Sequence, residues 1–423
     1  MRRGLAAGVA AAAIAAASGC AGALPGGSDD EDGDVVIEFS QWWESELPDG
    51  KLRALMDEFE ARNPGIQVEL LSGPYASMKE QVIAGAAARM APDVVGLDGA
   101  WVNDFAQKGV IADLSELMDD AGYDDSNLVS QTKVDGSTYM IPAVNFVYPM
   151  FTNDDLLAKA GVDTPPRDRS EFMRAAKRVT ALGGETHGWT LPLSLEAPNG
   201  VQNDVMSWVW ASGGSMLDGE QPNLVGNPDV SSGMSFVQDM WDAGVVAPGS
   251  FTMKEQDKVE EFSNGRVGMM IDSLAHVDTI REANPDLDFS VSAIPAADGY
   301  SGKRGIPYAS WGLGVSDSSE HKAAAFKLVQ FLMGKQVNAD LASAAHAFPG
   351  NNESVPDFVK EDEVFSAAFD IYRQGRPENE FTGMPVAEQL MRDFSEELQR
   401  SLDGQQSMDE ALEAAQERWE EEF

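Results

Sequence analysis

Two α/β lobes, each a mainly parallel sheet flanked by helices, are what this sequence predicts, and three observations carry the prediction. Strand and helix patterns alternate through 35–97, the signature of a parallel sheet covered by helices. The chain has 423 residues, more than one hydrophobic core holds at roughly 100–200 residues per domain. The run YMIPAVNFVYPMFTNDDLL (139–157) then sets Pro142 and Pro149 around apolar, β-branched and aromatic residues. Each proline fixes φ and removes a backbone donor, so the run reads as a stiff extended connector where one lobe passes to the other.

Ahead of the first strand, MRRGLAAGVAAAAIAAASGC combines basic Arg2 and Arg3, an apolar run of small residues from 5 to 17, and Ser18-Gly19-Cys20. That run is too short to span a bilayer and predicts an export signal over 1–19. Cys20 is the only cysteine, so a disulfide within one chain is excluded. Its place after small residues resembles the lipobox of bacterial lipoproteins, with Ala17 where Leu is usual, and predicts lipidation at Cys20. Residues 20–34 are rich in Gly and acids with almost nothing to bury, and predict a flexible tether.

VVIEF (35–39) is a buried strand, followed by Trp42, Trp43 and Glu44. Leu52, Leu55, Met56 and Phe59 at i, i+3, i+4, i+7 predict a helix stopped by Asn63-Pro64-Gly65. IQVELL (66–71) is the next strand, 78–89 an Ala-rich helix, and VVGL (94–97) a third strand followed by Asp98 and Trp101. Past the connector, Asp168 and Glu171 have capping-box spacing ahead of Phe172, Ala175, Ala176 and Val179. Strands are expected at 189–193, 267–271, 289–294 and 312–315. A loop with Asn203 and Asp204 opens a helix carrying Trp208 and Trp210, and the spacing of Val230, Met234, Val237 and Trp241 buries Trp241. The last third is mostly helix.

Composition excludes several functions. Lys+Arg is 30 against Asp+Glu 70, a net charge of -40, which repels nucleic acid and anionic membrane surfaces. A hydrated acidic surface adapted to salt, or a site for a cation, accounts for that balance. The four histidines (187, 276, 321, 346) are scattered, with no HExxH, dinucleotide-binding or phosphate-binding loop and no GxSxG. No metal site, cofactor or catalytic residue is therefore expected. In open α/β sheets ligands bind beyond the carboxyl ends of strands, and there this chain collects Trp, Asn, Asp, Glu and Gln. That mixture suits a neutral polyol: C–H faces lie on aromatic rings while hydroxyls pair with planar polar groups.

The segments FEARNPGIQVEL (59–70), APDVVGLDGAWVNDFAQKGVIADLSEL (91–117), IPAVNFVYPMFTNDDLLAKAGVDTPP (141–166), FSNGRVGMMID (262–272) and AAAFKLVQFLMG (323–334) together resemble the extracellular solute-binding lipoproteins of ABC importers, in the carbohydrate-binding group that includes maltose-binding protein. The resemblance implies a two-lobe Venus-flytrap (periplasmic-binding-protein) fold with multiple hinge crossings. It places them near 142, 271 and 316, giving an N-terminal lobe of 35–142 plus 271–315 and a C-terminal lobe of 143–270 plus 316–423. Carried over by position, the ligand-binding residues are Trp42, Trp43, Glu44, Asp98, Trp101, Asn145, Tyr148, Asn203, Asp204, Asp272, Ser273, Tyr308 and Trp311. Where many relatives have a stacking tryptophan after the 267–271 strand, this chain has Leu274-Ala275-His276, a departure from maltodextrin specificity. The resemblance implies a monomeric, non-enzymatic receptor that hands a mono- or oligosaccharide to permease subunits and touches the membrane only through its lipid. A polyamine or other organic cation on the same fold, and an extracellular glycoside hydrolase, are the rival functions.

Overall fold

The computed structural model describes residues 35–422 apart from Glu220, Gly383 and Pro385. The expected export signal, Cys20 and the acidic tether lie outside the described residues. Val35–Gln41 (β1) runs parallel to Ile66–Ser72 (β2) and to Val94–Leu97 (β3). All of β3 is buried, as a central strand covered on both faces requires. Thr132–Val134 (β4) and Ser137–Val147 (β5) form a hairpin. Its turn residues Asp135 and Gly136 have φ of 51° and 87°, the left-handed geometry that two-residue hairpins need.

The remaining strands are Met150–Asn153 (β6), His187–Trp189 (β7), the short pair Leu217–Asp218 (β8) and Gln221–Pro222 (β9), Val267–Ile271 (β10), Phe289–Ser292 (β11), Gly305–Val315 (β12), Phe348–Pro349 (β13) and Arg376–Glu378 (β14). Among the described residues one sheet has the order β13-β5-β12-β3-β1-β2, with β4 on β5 and β14 on β12. A second has the order β11-β6-β10-β7. Both sheets are mixed. β12 runs antiparallel to β3 and β5, and β6 antiparallel to β10 and β11, because β5, β6 and β12 flank the passages between sheets and return against their neighbours.

Leu52, Leu55, Met56 and Phe59 face the first sheet as their spacing requires, joined by Phe326, Leu328 and Leu332 from the helix Lys322–Leu332. A second core holds Phe172, Trp189, Trp208, Trp210 and Trp419. A third joins Phe151 and Phe262 to Phe365, Phe369 and Tyr372. Trp241 is only partly buried and stacks on Phe251 at 5.4 Å. Asp168 caps the helix Arg169–Thr180 by accepting from Glu171 N at 2.8 Å, while the Glu171 carboxylate accepts from Arg167 N at 2.9 Å.

Strand pairing moves the expected crossings. The first is Tyr148-Pro149, between β5 in one sheet and β6 in the other, and not near 142. Pro142 lies inside β5, opposite Gly312, where the β12 register shifts after Trp311; a bulge tolerates a proline without a donor. The chain does not leave the second sheet at 271, since β11 also pairs with β6; it leaves between β11 and β12. Nor does it cross at 316, since the helix Lys322–Leu332 packs in the first core; the return falls between β13 and the helix Ala387–Leu402, which packs in the second.

Candidate functional site

The carboxyl ends of β1, β2 and β3 converge on a group of aromatic rings. Trp42, just past β1, lies 5.2 Å from Tyr75 and 5.4 Å from Trp101 between ring centroids. Tyr75 stacks on Trp101 at 5.2 Å with 26° between planes, and it is 46% exposed where Trp42 and Trp101 are nearly covered. Asp98 starts the turn Gly99–Trp101, accepting from Ala100 N at 2.8 Å and from the Tyr75 hydroxyl at 3.2 Å. Burial pushes the Asp98 carboxyl up, against the pull of those two donors and Lys79. Burial and the Asp98 charge push the Tyr75 phenol up as well, so it remains a neutral donor.

Behind this group Trp43 is fully buried and stacks on Trp311 at 5.3 Å and 10°. Phe146 meets Trp311 edge-on at 5.3 Å. Glu44 lies at the rim, where the Ser72 hydroxyl donates to it and Gln41 Oε1 accepts from its N–H at 2.9 Å. Gly99 lets the late segment approach: a Cβ there would meet Thr382 Cγ2 at 2.6 Å. Thr382 follows Phe381, which packs on Trp419 in the second core, so the two sheets' territories meet beside Asp98.

A second, polar group forms where β10 ends against the crossing. Tyr148 N donates to Pro307 O at 3.0 Å, and Asp272 N donates to Pro149 O at 3.2 Å, so the crossing is pinned from both sheets. Asp272 is fully buried; its Oδ1 accepts from Ser273 N at 2.7 Å and lies 3.0 Å from His276 Nδ1. Burial alone would lower the His276 pKa, but the Asp272 hydrogen bond and charge leave it raised. Tyr148 is pushed well up by burial and by the Glu255 and Asp272 charges, with a counteracting hydrogen bond to Ser273.

Asp204 sits on a π-helical turn, Gln202–Met206, whose side chains are all buried. Lys258 is fully buried too, and its Nζ donates to Asp204 Oδ2 at 2.9 Å and to Ile271 O. Burial pushes the Asp204 carboxyl up and the Lys258 charge pulls it down. Burial opposes the Lys258 ammonium, but Asp204, Asp272 and Glu255 hold its pKa above the ordinary value; three carboxylates around one ammonium keep it charged. Burial likewise raises the Glu255 carboxyl.

The structure thus brings Trp42, Asp98 and Trp101 into one group, and Tyr148, Asp204, Asp272 and Ser273 into another. Asn203 is buried beside Gln202, whose Nε2 is 3.5 Å from its Oδ1. Asn145 is turned elsewhere: its Nδ2 donates to the Tyr372 hydroxyl at 2.8 Å, on the side of the third core, and its alternating neighbour Phe146 takes the aromatic side. Tyr308 is buried in that third core, with its carbonyl accepting from Asn379 Nδ2 at 3.2 Å. A cavity of about 560 Å³ walled by Pro349, Phe369, Tyr372 and Arg373 also lies on that side, away from both groups. Sequence reasoning missed Tyr75, although Gly73-Pro74-Tyr75 ends β2 as Asp98 ends β3. It also missed Lys258, since a lysine in DKVEEF reads as solvent-facing, and the convergence of Glu255 and His276 on Asp272.

The chain is similar to known proteins in sequence and in fold. A binding protein of Brucella abortus is 30% identical over 305 residues, covering 70% of this chain and 71% of the relative. Among solved structures, the cyclic α-maltosyl-1,6-maltose binding protein from Arthrobacter globiformis is similar with a TM-score of 0.78 at 20% identity, over 92% of this chain and 99% of that one. The sugar-binding protein MalE from Xanthomonas citri is similar with a TM-score of 0.77 at 20% identity, over 92% and 97%. The two-sheet α/β architecture is therefore the two-lobe periplasmic-binding-protein fold. The family model described as bacterial extracellular solute-binding protein matches residues 43–339, and the chain belongs to that family.

Proposed function

We propose that this chain is the lipid-anchored receptor of an ABC importer, capturing a mono- or oligosaccharide between the aromatic group of the first sheet and the polar group of the second. The observation that carries the ligand class is the Trp42, Tyr75 and Trp101 group with Asp98 at its edge. Ring faces cover the C–H side of a sugar, and a carboxylate with a phenol accepts from and donates to its hydroxyls. The ligands named for the two structural relatives above are of the same class. Closure of the lobes on the sugar produces the form that the permease subunits recognise. The receptor acts as a monomer and turns over no substrate, and Cys20 carries the lipid that holds it at the outer face of the membrane.

A second reading rests on the same rings: Asp98 beside the Tyr75–Trp101 stack also suits an organic cation such as a polyamine. A panel of saccharides, polyols and polyamines read by thermal shift and tryptophan fluorescence separates the two. Saccharides should raise the melting midpoint and alter the emission; a response to polyamines alone would reject the sugar. Release of reducing ends from an oligosaccharide during the same incubation would reject the non-enzymatic role. Membrane retention of the full chain should be lost in Cys20→Ala, and retention of that variant would reject the lipid anchor.

A further inference from the structure

We infer that Glu255, Asp272 and His276 form a binding site for one divalent transition-metal ion at the end of β10. Asp272 follows β10 directly, His276 ends the turn Leu274–His276, and Glu255 opens the helix Glu255–Ser263. One ligand atom from each lies within 4.8 Å of the others. Ligands on one ion with bonds of about 2.1 Å stand roughly 3–4 Å apart, so a small closure of the three suffices. His276 Nδ1 and Asp272 Oδ1 are already separated by 3.0 Å.

The second observation is a pair of buried carboxylate oxygens that no hydrogen-bond donor reaches. Glu255 Oε1 and Asp272 Oδ2 are buried without a hydrogen-bond partner among the described residues, and the Asp272 side chain is fully buried. Such orphaned acceptors are costly in a folded protein. Lys258 does not relieve them: it is engaged by Asp204 at 2.9 Å and stays 4.0 Å from Asp272. Three carboxylates stand around the one Lys258 ammonium, and a doubly charged ion would balance the two charges left over. An imidazole with carboxylates suits zinc, manganese, cobalt or nickel, whereas calcium prefers oxygen ligands alone. His276 is 18% exposed, which leaves a route in and room for water on the ion.

This inference does not depend on the ligand class proposed above, and its test contains no sugar. The purified protein is titrated with Co²⁺ and Zn²⁺ in about 0.5 M salt, which screens loose attraction to the acidic surface. Bound metal is counted after gel filtration, and Co²⁺ coordination is read from its visible absorption. One ion per chain is expected, held at least about tenfold more weakly in His276→Gln and Glu255→Gln and unchanged in His321→Gln, whose side chain is exposed elsewhere. Circular dichroism of the metal-free variants establishes that they fold; should one fail to fold, the other decides. Absence of a stoichiometric ion, or retention unaffected in a folded Glu255→Gln or His276→Gln variant, would overturn the site.

Discussion

The aromatic group at the ends of β1 to β3 and the polar group at the end of β10 solve different problems with different chemistry. The first is made of rings whose mutual contacts need no charge partner, and it leaves one of them, Tyr75, 46% exposed. The second is made of buried charged groups: Asp204 and Lys258 pair with each other and are both fully buried, and Asp272 shares its Oδ1 between Ser273 N and His276 while its Oδ2 has no partner among the described residues. A ring can lend its face to a ligand without leaving anything behind unpaired. A buried carboxylate cannot, because its lost partner leaves a desolvated charge. On the proposed function the aromatic side is where affinity is adjustable, and the ionic side is where the fold is vulnerable.

The largest expected effect breaks the ionic side. Lys258→Met removes the ammonium bonded to the buried Asp204 carboxylate and should cost about 3–5 kcal/mol in denaturant unfolding. Adding Asp204→Leu should recover most of that loss, since replacing both members of a buried pair by apolar groups is close to neutral. A double variant as unstable as the single one would mean that the pair is not the unit that matters. Next comes the aromatic side. Tyr75→Ala takes away the exposed face and should weaken saccharide binding about tenfold, consistent with roughly 1–1.5 kcal/mol for one aromatic contact, with a stability change below about 1 kcal/mol. Trp101→Ala is the poorer probe: Trp101 also packs on Trp42 and Phe105, so its truncation opens the core as well as the site. Calorimetric affinity and melting midpoints on the two variants test this separation, and equal stability losses in both would erase it.

The contrast also marks what the sequence made legible. The rings were readable because a simple rule, aromatic and polar residues just past buried strands, points to Trp42, Asp98 and Trp101 from local pattern alone. The α/β class was readable from the same strand and helix periodicities. The crossings were not, because β5 continues through Pro142 by virtue of a bulge at Ala143 in its pairing with β12, a non-local event. The range 271–315, expected in the N-terminal lobe, is divided for a similar reason: β11 is placed in the second sheet by its pairing with β6, some 140 residues earlier in the chain. The ionic side was least legible of all. Lys258, Glu255 and His276 look like ordinary surface residues on their own segments, and only the fold converges them on Asp204 and Asp272.

The smallest expected effect concerns the one carboxylate of the aromatic side. Asp98 has a pKa raised by burial even though Ala100 N and the Tyr75 hydroxyl donate to it. Between the ordinary carboxylate value and that raised value the folded protein holds more protons on this group than the unfolded chain. The group's contribution to stability is thus fully present below the unfolded pKa and is lost as pH rises through the folded one. Asp98→Asn removes this term, so the wild type should lose more stability than the variant as pH rises above the ordinary carboxylate value. Denaturant midpoints at half-unit pH steps read the difference directly. Identical slopes would place the Asp98 carboxyl in water rather than in the shelter of the rings, and the boundary between the two regions would have to be drawn without it.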